Sequence, residues 1–137
     1  MTLHAETVVE QGELWTVAVN QNQNLLGKSM IVLNRAEASV VGLNVEEWLD
    51  LHRQIRRLRV ALDELFTPDQ YNYAFLMNVD VQVHLHVVPR YRAARSWHGE
   101  TFHDNHYGHL FVEEQRILTA TDLAKLRTAI AIRLPAG

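Results

Sequence analysis

The stretch that decides the fold of this chain is Val81-Gln82-Val83-His84-Leu85-His86-Val87-Val88-Pro89-Arg90. Its apolar residues alternate with Gln82, His84 and His86, and a β-strand places alternate side chains on opposite faces of a sheet. The apolar set therefore predicts a packed face, and the polar set predicts a row of side chains on the other face. Pro89 is expected to end the hydrogen bonding of the strand, because proline has no N–H to donate.

The polar row predicts a functional site. Neutral imidazole can accept a proton, attack an electrophile or ligate a metal, and residues two apart on a strand stand about 7 Å apart in a fixed row. A single strand histidine is usually explained by ordinary hydrogen bonding. Two histidines aligned with a glutamine on an otherwise apolar strand favour a site, since a polar face must be hydrated, hydrogen-bonded or occupied.

Length and composition describe an ordinary globular chain. The 137 residues fit a single domain spanning 1–137, with 47% hydrophobic and 21% charged residues. Because the sequence has no cysteine, disulfides, thiolate metal sites and thiol catalysis are excluded, and a cytoplasmic location is favoured.

Charge and hydropathy limit the partners. No apolar run is long enough to cross a bilayer, and the N-terminus lacks the basic and apolar regions of a signal peptide, which predicts a soluble protein without a membrane partner. The formal net charge of −3 argues against broad binding to nucleic acid. Arg90, Arg92 and Arg95 follow the histidines directly and could receive phosphate.

Four further strands are predicted. Residues 7–10 and 13–19 read as strands of a hairpin around Gln11-Gly12, and residues 29–33 follow a polar loop that begins at Asn20. Residues 71–78 read as a strand joined to the histidine strand by only Val79-Asp80, which demands an antiparallel neighbour.

Two helices complete the prediction. Asn44 is a suitable N-cap for an amphipathic helix that runs to about Phe66 and is ended by Thr67-Pro68. Its apolar stripe should cover the apolar face of the histidine strand and consists of Trp48, Leu51, Ile55, Leu58, Leu62 and Leu65. A last helix is predicted over 123–134, capped by Thr121 or Asp122, after a loop over 96–108. The fold class is α+β, with a mainly antiparallel five-stranded sheet, one long helix and a C-terminal helix.

Three chemical interpretations are open for the histidine row. One imidazole could act as a nucleophile at phosphorus, with neighbouring donors stabilising the charged oxygens. His84 and His86 could instead ligate a metal, with a third ligand from His98, His103, Asp104, His106 or His109. In the third interpretation the row only binds a ligand. The four loop histidines could also close over a substrate as a cationic lid.

Residues 82–90 resemble the signature of the histidine-triad nucleotide hydrolases and transferases, in which alternating histidines are followed by Pro-Arg in the diadenosine-polyphosphate-hydrolase branch. Asn20 and the segment Gly27-Lys28-Ser29-Met30-Ile31-Val32 resemble the nucleoside-pocket residue and the Gly-His motif of that family. The resemblance covers about residues 14–92. The order of hairpin, strand, long helix and two strands is also that of the family.

The resemblance implies that His84 attacks the α-phosphorus to form a nucleotidyl-histidine, and that His86 orients the site and handles leaving-group charge. Asn20 would contact the ribose hydroxyls and Asn78 a phosphate oxygen, while Lys28 stands where a histidine is common. It also implies a homodimer and no tightly bound cofactor, with Mg²⁺ or Mn²⁺ arriving on the substrate.

The sequence departs from the family pattern at two places. Gln82 stands at the first triad position and cannot titrate, and the usual Gly-rich loop before the triad is missing. The function predicted is a nucleotide hydrolase or nucleotidyl transferase acting on dinucleoside polyphosphates or nucleoside 5′-phosphate derivatives, with His84, His86 and Gln82 in the catalytic row. The alternatives are a catalytically weak or inactive nucleotide-binding protein and a metal-dependent enzyme.

Overall fold

Five strands form one antiparallel sheet, as predicted. The computed structural model describes all 137 residues. The strands are β1 (Val8–Gln11), β2 (Trp15–Val19), β3 (Ser29–Leu33), β4 (Gln70–Ala74) and β5 (His84–Arg90). They lie in the order β1-β2-β3-β5-β4, and each neighbouring pair is antiparallel. The histidine strand β5 is therefore held on both sides, by β3 and by β4.

Two helices pack against one face of this sheet. Helix α1 spans Val45–Phe66 and helix α2 spans Ala120–Ala131. Both contribute to a single hydrophobic cluster that also contains Val17, Ile31 and Leu85 of the sheet. The indole N–H of Trp15 donates to the backbone carbonyl of Glu47 over 3.0 Å, which joins β2 to the first turn of α1. Neither helix is long and apolar enough to span a membrane.

Helix α1 begins where its capping residues predict. The Asn44 side chain accepts from the Glu47 backbone N–H, and the Glu47 carboxylate accepts from the Asn44 N–H, which is a complete capping box. Leu51, Leu58 and Leu62 of the predicted stripe are buried. Trp48 is the exception, because it is 41% exposed and packs edge-on against Phe75 instead of entering the core.

The connection before the histidine strand is longer than predicted. Strand β4 ends at Ala74, and residues 75–83 form an irregular loop, so the two-residue turn at Val79-Asp80 was wrong. Met77 has a φ of 45°, which a strand cannot contain. Val81 lies in this loop and is 61% exposed, so the packed face of the strand begins at Val83.

Pro89 does not end the histidine strand. It pairs with Tyr71 of β4 inside β5, whereas pairing with β3 stops at Val87. Proline is tolerated there because the strand has only one neighbour beyond Val87.

Two corrections concern the C-terminal third. Part of the predicted loop is a hairpin of β6 (Arg95–Trp97) and β7 (Glu100–Phe102). Its turn contains His98 and Gly99, both at positive φ, as a two-residue hairpin turn requires. Helix α2 begins at Ala120, and its N-cap is Thr119 rather than Thr121 or Asp122.

We expect Asn44→Ala to lower the free energy of unfolding by about 1 kcal/mol, because the first turn of α1 would lose a side-chain acceptor. Urea denaturation measures this change. Asn78→Ala is the matched control, because the Asn78 side chain is exposed and makes no hydrogen bond. An Asn44 variant as stable as the control would contradict the assigned cap.

Candidate active site on the histidine face

The candidate site lies on the sheet face opposite the two helices, which we call the histidine face and define by Met30, Ala74, His84 and His86. His86 stands directly between Met30 of β3 and Ala74 of β4, and His84 is opposite Val32 of β3. Directly paired residues of antiparallel strands point to the same side of a sheet. Both imidazoles therefore project from the interior of a rigid sheet, as the alternation predicted.

The geometry of His84 leaves one ring nitrogen available for chemistry. Its Nδ1 lies 2.7 Å from the backbone carbonyl oxygen of Gln82. A carbonyl can only accept, so Nδ1 carries the proton of the neutral ring and Nε2 carries a lone pair. His84 is 5% exposed, so the imidazole is held in one orientation by packing and by its own strand.

His86 completes a pair of imidazoles that are in hydrogen-bond contact. The two Nε2 atoms are 3.1 Å apart, and because the His84 atom carries a lone pair, His86 Nε2–H is the donor. The pKa of His86 is lowered to about 4, mainly by burial and also by the neighbouring His84, while Glu113 opposes the shift. His86 is therefore uncharged near neutral pH, and its Nε2–H donates to the Nε2 lone pair of His84.

The Gln82 side chain makes its hydrogen bonds to backbone groups and makes none to the imidazoles. Its amide nitrogen donates to the carbonyls of Leu33 and Arg35 over 2.8 and 2.7 Å, and its amide oxygen accepts from the Glu37 N–H. The contact of Gln82 with His84 is made by its main-chain carbonyl. This arrangement makes Gln82 a positioning residue, which fixes the start of β5 against the end of β3.

Lys28 is a buried cation on the same face. It lies two residues before Met30, and its Nζ donates to the Asn24 side-chain oxygen over 2.6 Å and lies 3.8 Å from a Glu113 carboxylate oxygen. Burial lowers the pKa of Lys28, and Glu113 opposes that shift. The preceding residue, Gly27, has a φ of 87°, and a Cβ added there would lie only 3.0 Å from a side-chain carbon of Leu62. Both features favour glycine at this position.

Asn20 and Asn78 differ in their surroundings. Asn20 lines a cavity of about 260 Å³ together with Met30 and the N-terminal residues 1–4. Met30 on its wall pairs with His86, but neither imidazole lines the cavity. Asn78 is exposed in the loop before β5 and makes no side-chain hydrogen bond. Contact of either residue with a ligand stays a prediction.

The Arg90 side chain is buried and makes its hydrogen bonds within the protein. The Arg90 guanidinium has five N–H groups, and each has a partner: two donate to Asp104, and the others to the Asn72 side chain and to the carbonyls of His106 and His109. Burial alone would raise the pKa of Asp104, but the Arg90 hydrogen bonds lower it below its usual value. We therefore leave Arg90 out of the phosphate-binding groups and assign it to anchoring residues 104–109.

The loop histidines do not gather around His84 and His86. His98 is in the β6–β7 turn, the exposed His103 and His109 lie apart, and His106 pairs with Glu114 at 3.3 Å. No group of three or more His, Asp or Glu side chains is placed to hold a metal ion. The structure thus offers no third ligand for the metal interpretation and no cluster for a cationic lid.

Sequence reasoning missed Glu113 and Asn24. Glu113 is 85 residues from Lys28 along the chain, and no motif marks it. Asn24 lies in the polar loop that was explained as simple turn structure, yet its side chain binds both Lys28 and the carbonyl of Val112.

Comparison with solved structures identifies the fold. A histidine triad protein from Bradyrhizobium japonicum superimposes with a TM-score of 0.70 at 22% identity, covering 97% of each chain. The Plasmodium falciparum diadenosine triphosphate hydrolase gives a TM-score of 0.69 at 14% identity, covering 95% of this chain and 77% of its own. A zinc-bound histidine triad family protein from Mycobacterium smegmatis gives 0.65 at 15% identity, covering 91% and 83%. Scans against protein-family models and curated proteins find no match.

The chain therefore has the α+β fold of the histidine-triad proteins, as the sequence resemblance predicted. The shared fold covers nearly the whole chain, well beyond the residues that carried the resemblance.

Arg90→Met should destabilise the protein by about 3–5 kcal/mol, because the Asp104 carboxylate, 2% exposed, would remain buried without its partner. Chemical denaturation measures the loss, and Arg92→Met, at an exposed position, is the control. A stable Arg90 variant that binds nucleotide less tightly would instead assign Arg90 to the substrate. The double variant Arg90→Met/Asp104→Leu should recover part of the stability.

Proposed function

We propose that this protein is a nucleotide hydrolase or nucleotidyl transferase that acts on dinucleoside polyphosphates or nucleoside 5′-phosphate derivatives through a nucleotidyl-histidine. The observation that carries the proposal is the unprotonated Nε2 of His84, which is oriented by the Nδ1 contact with the Gln82 carbonyl and accepts from His86 Nε2–H. The fold shared with a diadenosine triphosphate hydrolase supports the same class of reaction.

In the proposed first step, His84 Nε2 attacks the α-phosphorus, forming a P–N bond while the P–O bond to the leaving group breaks. The His84 ring then carries a positive charge, which the Gln82 carbonyl stabilises at Nδ1–H. His86 loses its acceptor at His84 Nε2 and becomes free to direct its Nε2–H to the leaving oxygen. Water attacks the phosphorus in the second step and releases a proton to solvent, the P–N bond breaks, and His84 Nε2 regains its lone pair.

The cavity beside Met30 is the proposed nucleoside site. Its volume of about 260 Å³ approaches the lower end of ligand pockets, and Asn20 on its wall supplies an amide for the ribose hydroxyls. Lys28 supplies positive charge for the phosphates, and Asn78 in the preceding loop is the further proposed phosphate contact. Mg²⁺ or Mn²⁺ would be held by the polyphosphate oxygens, which are preferred ligands of these hard cations. We also propose a cytoplasmic location, which the absence of cysteine favours.

The second candidate function is a nucleotide-binding protein without turnover. It is favoured by one observation, the use of the Gln82 side chain for three backbone groups. The row therefore contains two imidazoles and no third titratable group, because the Gln82 amide cannot titrate and hydrogen-bonds to the backbone.

We expect His84→Ala to reduce hydrolysis of diadenosine tetraphosphate, measured with Mg²⁺, to background, because the nucleophile is removed. Mass spectrometry of quenched wild-type protein should detect a nucleotidyl adduct on His84. His103→Ala is the control, since His103 is exposed and outside the pair. Equal background release by wild type and His84→Ala, with nucleotide binding retained, would establish the binding protein instead.

We also propose a homodimer formed through the free edge of β4. Strand β4 is the last strand of the sheet, and its free edge can pair with a second copy about a two-fold axis. Large apolar side chains are exposed beside this edge: Tyr73 is 42%, Leu76 45% and Trp48 41% exposed. Apolar groups next to an unpaired strand indicate a surface that a second copy would bury.

Sedimentation velocity tests this dimer. We expect a dimer for the wild type and a monomer for Leu76→Asp, because a carboxylate would be buried in the interface without a partner. Ile132→Asp is the control, since Ile132 is 73% exposed but lies at the end of α2. A wild-type monomer at micromolar concentration, or a dimeric Leu76 variant, would refute this interface.

A further inference from the structure

A segment that follows the β6–β7 hairpin is tied to the loop that carries Lys28. We call residues 112–116 the strap. The Asn24 side chain donates to the Val112 carbonyl over 2.8 Å. The Asn22 side chain donates to the Glu114 carbonyl over 2.9 Å and accepts from the Arg116 N–H over 2.8 Å. Two asparagines therefore hold the strap against the loop that leads to Lys28.

The strap supplies the counter-ion of Lys28, and the two partners differ sharply in exposure. The Lys28 side chain is 2% exposed, whereas the Glu113 side chain, 3.8 Å away, is 68% exposed. Glu113 could return to water at little cost. Loss of the anion would be costly for Lys28, because its buried ammonium group would remain poorly solvated.

Lys28 has few other sources of compensation. The Asn24 side-chain oxygen is its one short contact, at 2.6 Å, and an amide dipole does not neutralise a charge. By contrast, the buried Arg90 is matched by a carboxylate that is itself 2% exposed. Both partners of the Arg90 pair are buried, whereas the anion of the Lys28 pair is open to solvent.

We propose that Glu113 is an exchangeable counter-ion whose place at Lys28 is taken by a phosphate group of the substrate. This inference rests on the proposed function, because it requires a phosphate on the histidine face. Lys28 directly precedes β3, and Met30, two residues on, pairs with His86. Lys28 and Glu113 are both close enough to His86 to shift the pKa of its imidazole in opposite directions. A polyphosphate reacting at the imidazoles would therefore reach Lys28.

Glu113 acts in this arrangement as a selectivity residue. A neutral ligand leaves the Lys28–Glu113 pair in place, whereas a phosphate must compete with the carboxylate and then replaces it with more charge and more acceptor oxygens. Asn24 couples the exchange to the strap, because its side chain binds both Lys28 and Val112. Release of Glu113 should loosen the strap at that contact.

The test compares Glu113→Gln with Glu114→Gln by calorimetric titration at pH 7, with inorganic pyrophosphate and adenosine as probes. Glu114 is the matched control, because it is the next residue, is 61% exposed and pairs with His106 instead of Lys28. Glu113→Gln should bind pyrophosphate about 3- to 10-fold more tightly than wild type, the range expected for removing a partly exposed competing charge. Glu114→Gln should match wild type, and adenosine affinity should be unchanged in both.

Lys28→Met, which keeps side-chain length without charge, should lose pyrophosphate binding. Unchanged or weaker pyrophosphate binding by Glu113→Gln would overturn the inference, and so would an equal gain in Glu114→Gln or no binding by any variant. His84-dependent hydrolysis is measured separately. Tighter pyrophosphate binding without such hydrolysis would uphold the exchange and refute the nucleotidyl-histidine, and hydrolysis without tighter binding would do the reverse.

Discussion

The contact between His84 Nδ1 and the Gln82 carbonyl oxygen determines what this fold can do. At 2.7 Å it fixes the tautomer of the ring, and the tautomer leaves the Nε2 lone pair directed at His86. The acceptor is a main-chain atom two residues before His84, and the Gln82 side chain ties that main chain to Leu33, the last residue of β3, and to Arg35. Gln82 therefore orients His84 through its main chain, while its side chain hydrogen-bonds to the backbone.

The two buried cations near this face differ in how completely their charges and N–H groups are matched within the protein. Arg90 satisfies every N–H group inside the protein and holds a buried carboxylate, so its burial is stable and its function is to anchor the chain. Lys28 has one short contact to an amide and a longer one to an exposed carboxylate. Arg90 ends the histidine strand and was predicted to bind phosphate, but all of its N–H groups have partners within the protein. Lys28 is the cation near this face whose hydrogen bonding is less complete.

The sheet, the long helix and the histidine row could be predicted because their signals are local. Alternation along residues 82–88 and the capping box at Asn44 are properties of neighbouring residues. Two predictions failed at residues with left-handed backbone. Met77 ends the extended run after β4, although methionine rarely adopts a positive φ, and the hairpin turn at His98-Gly99 lies in a segment predicted to be a loop.

The sequence by itself determined that two imidazoles share one face of a strand, because a period of two is imposed by the backbone. Only the tertiary structure decided which polar groups remain available to a ligand. The Gln82 side chain hydrogen-bonds to the backbone, and Arg90 pairs with the Asp104 carboxylate. Lys28 lies beside the carboxylate of Glu113, which is 85 residues away along the chain. The physical reason is that availability depends on the partners each group finds after folding, and those partners are brought together from distant parts of the chain.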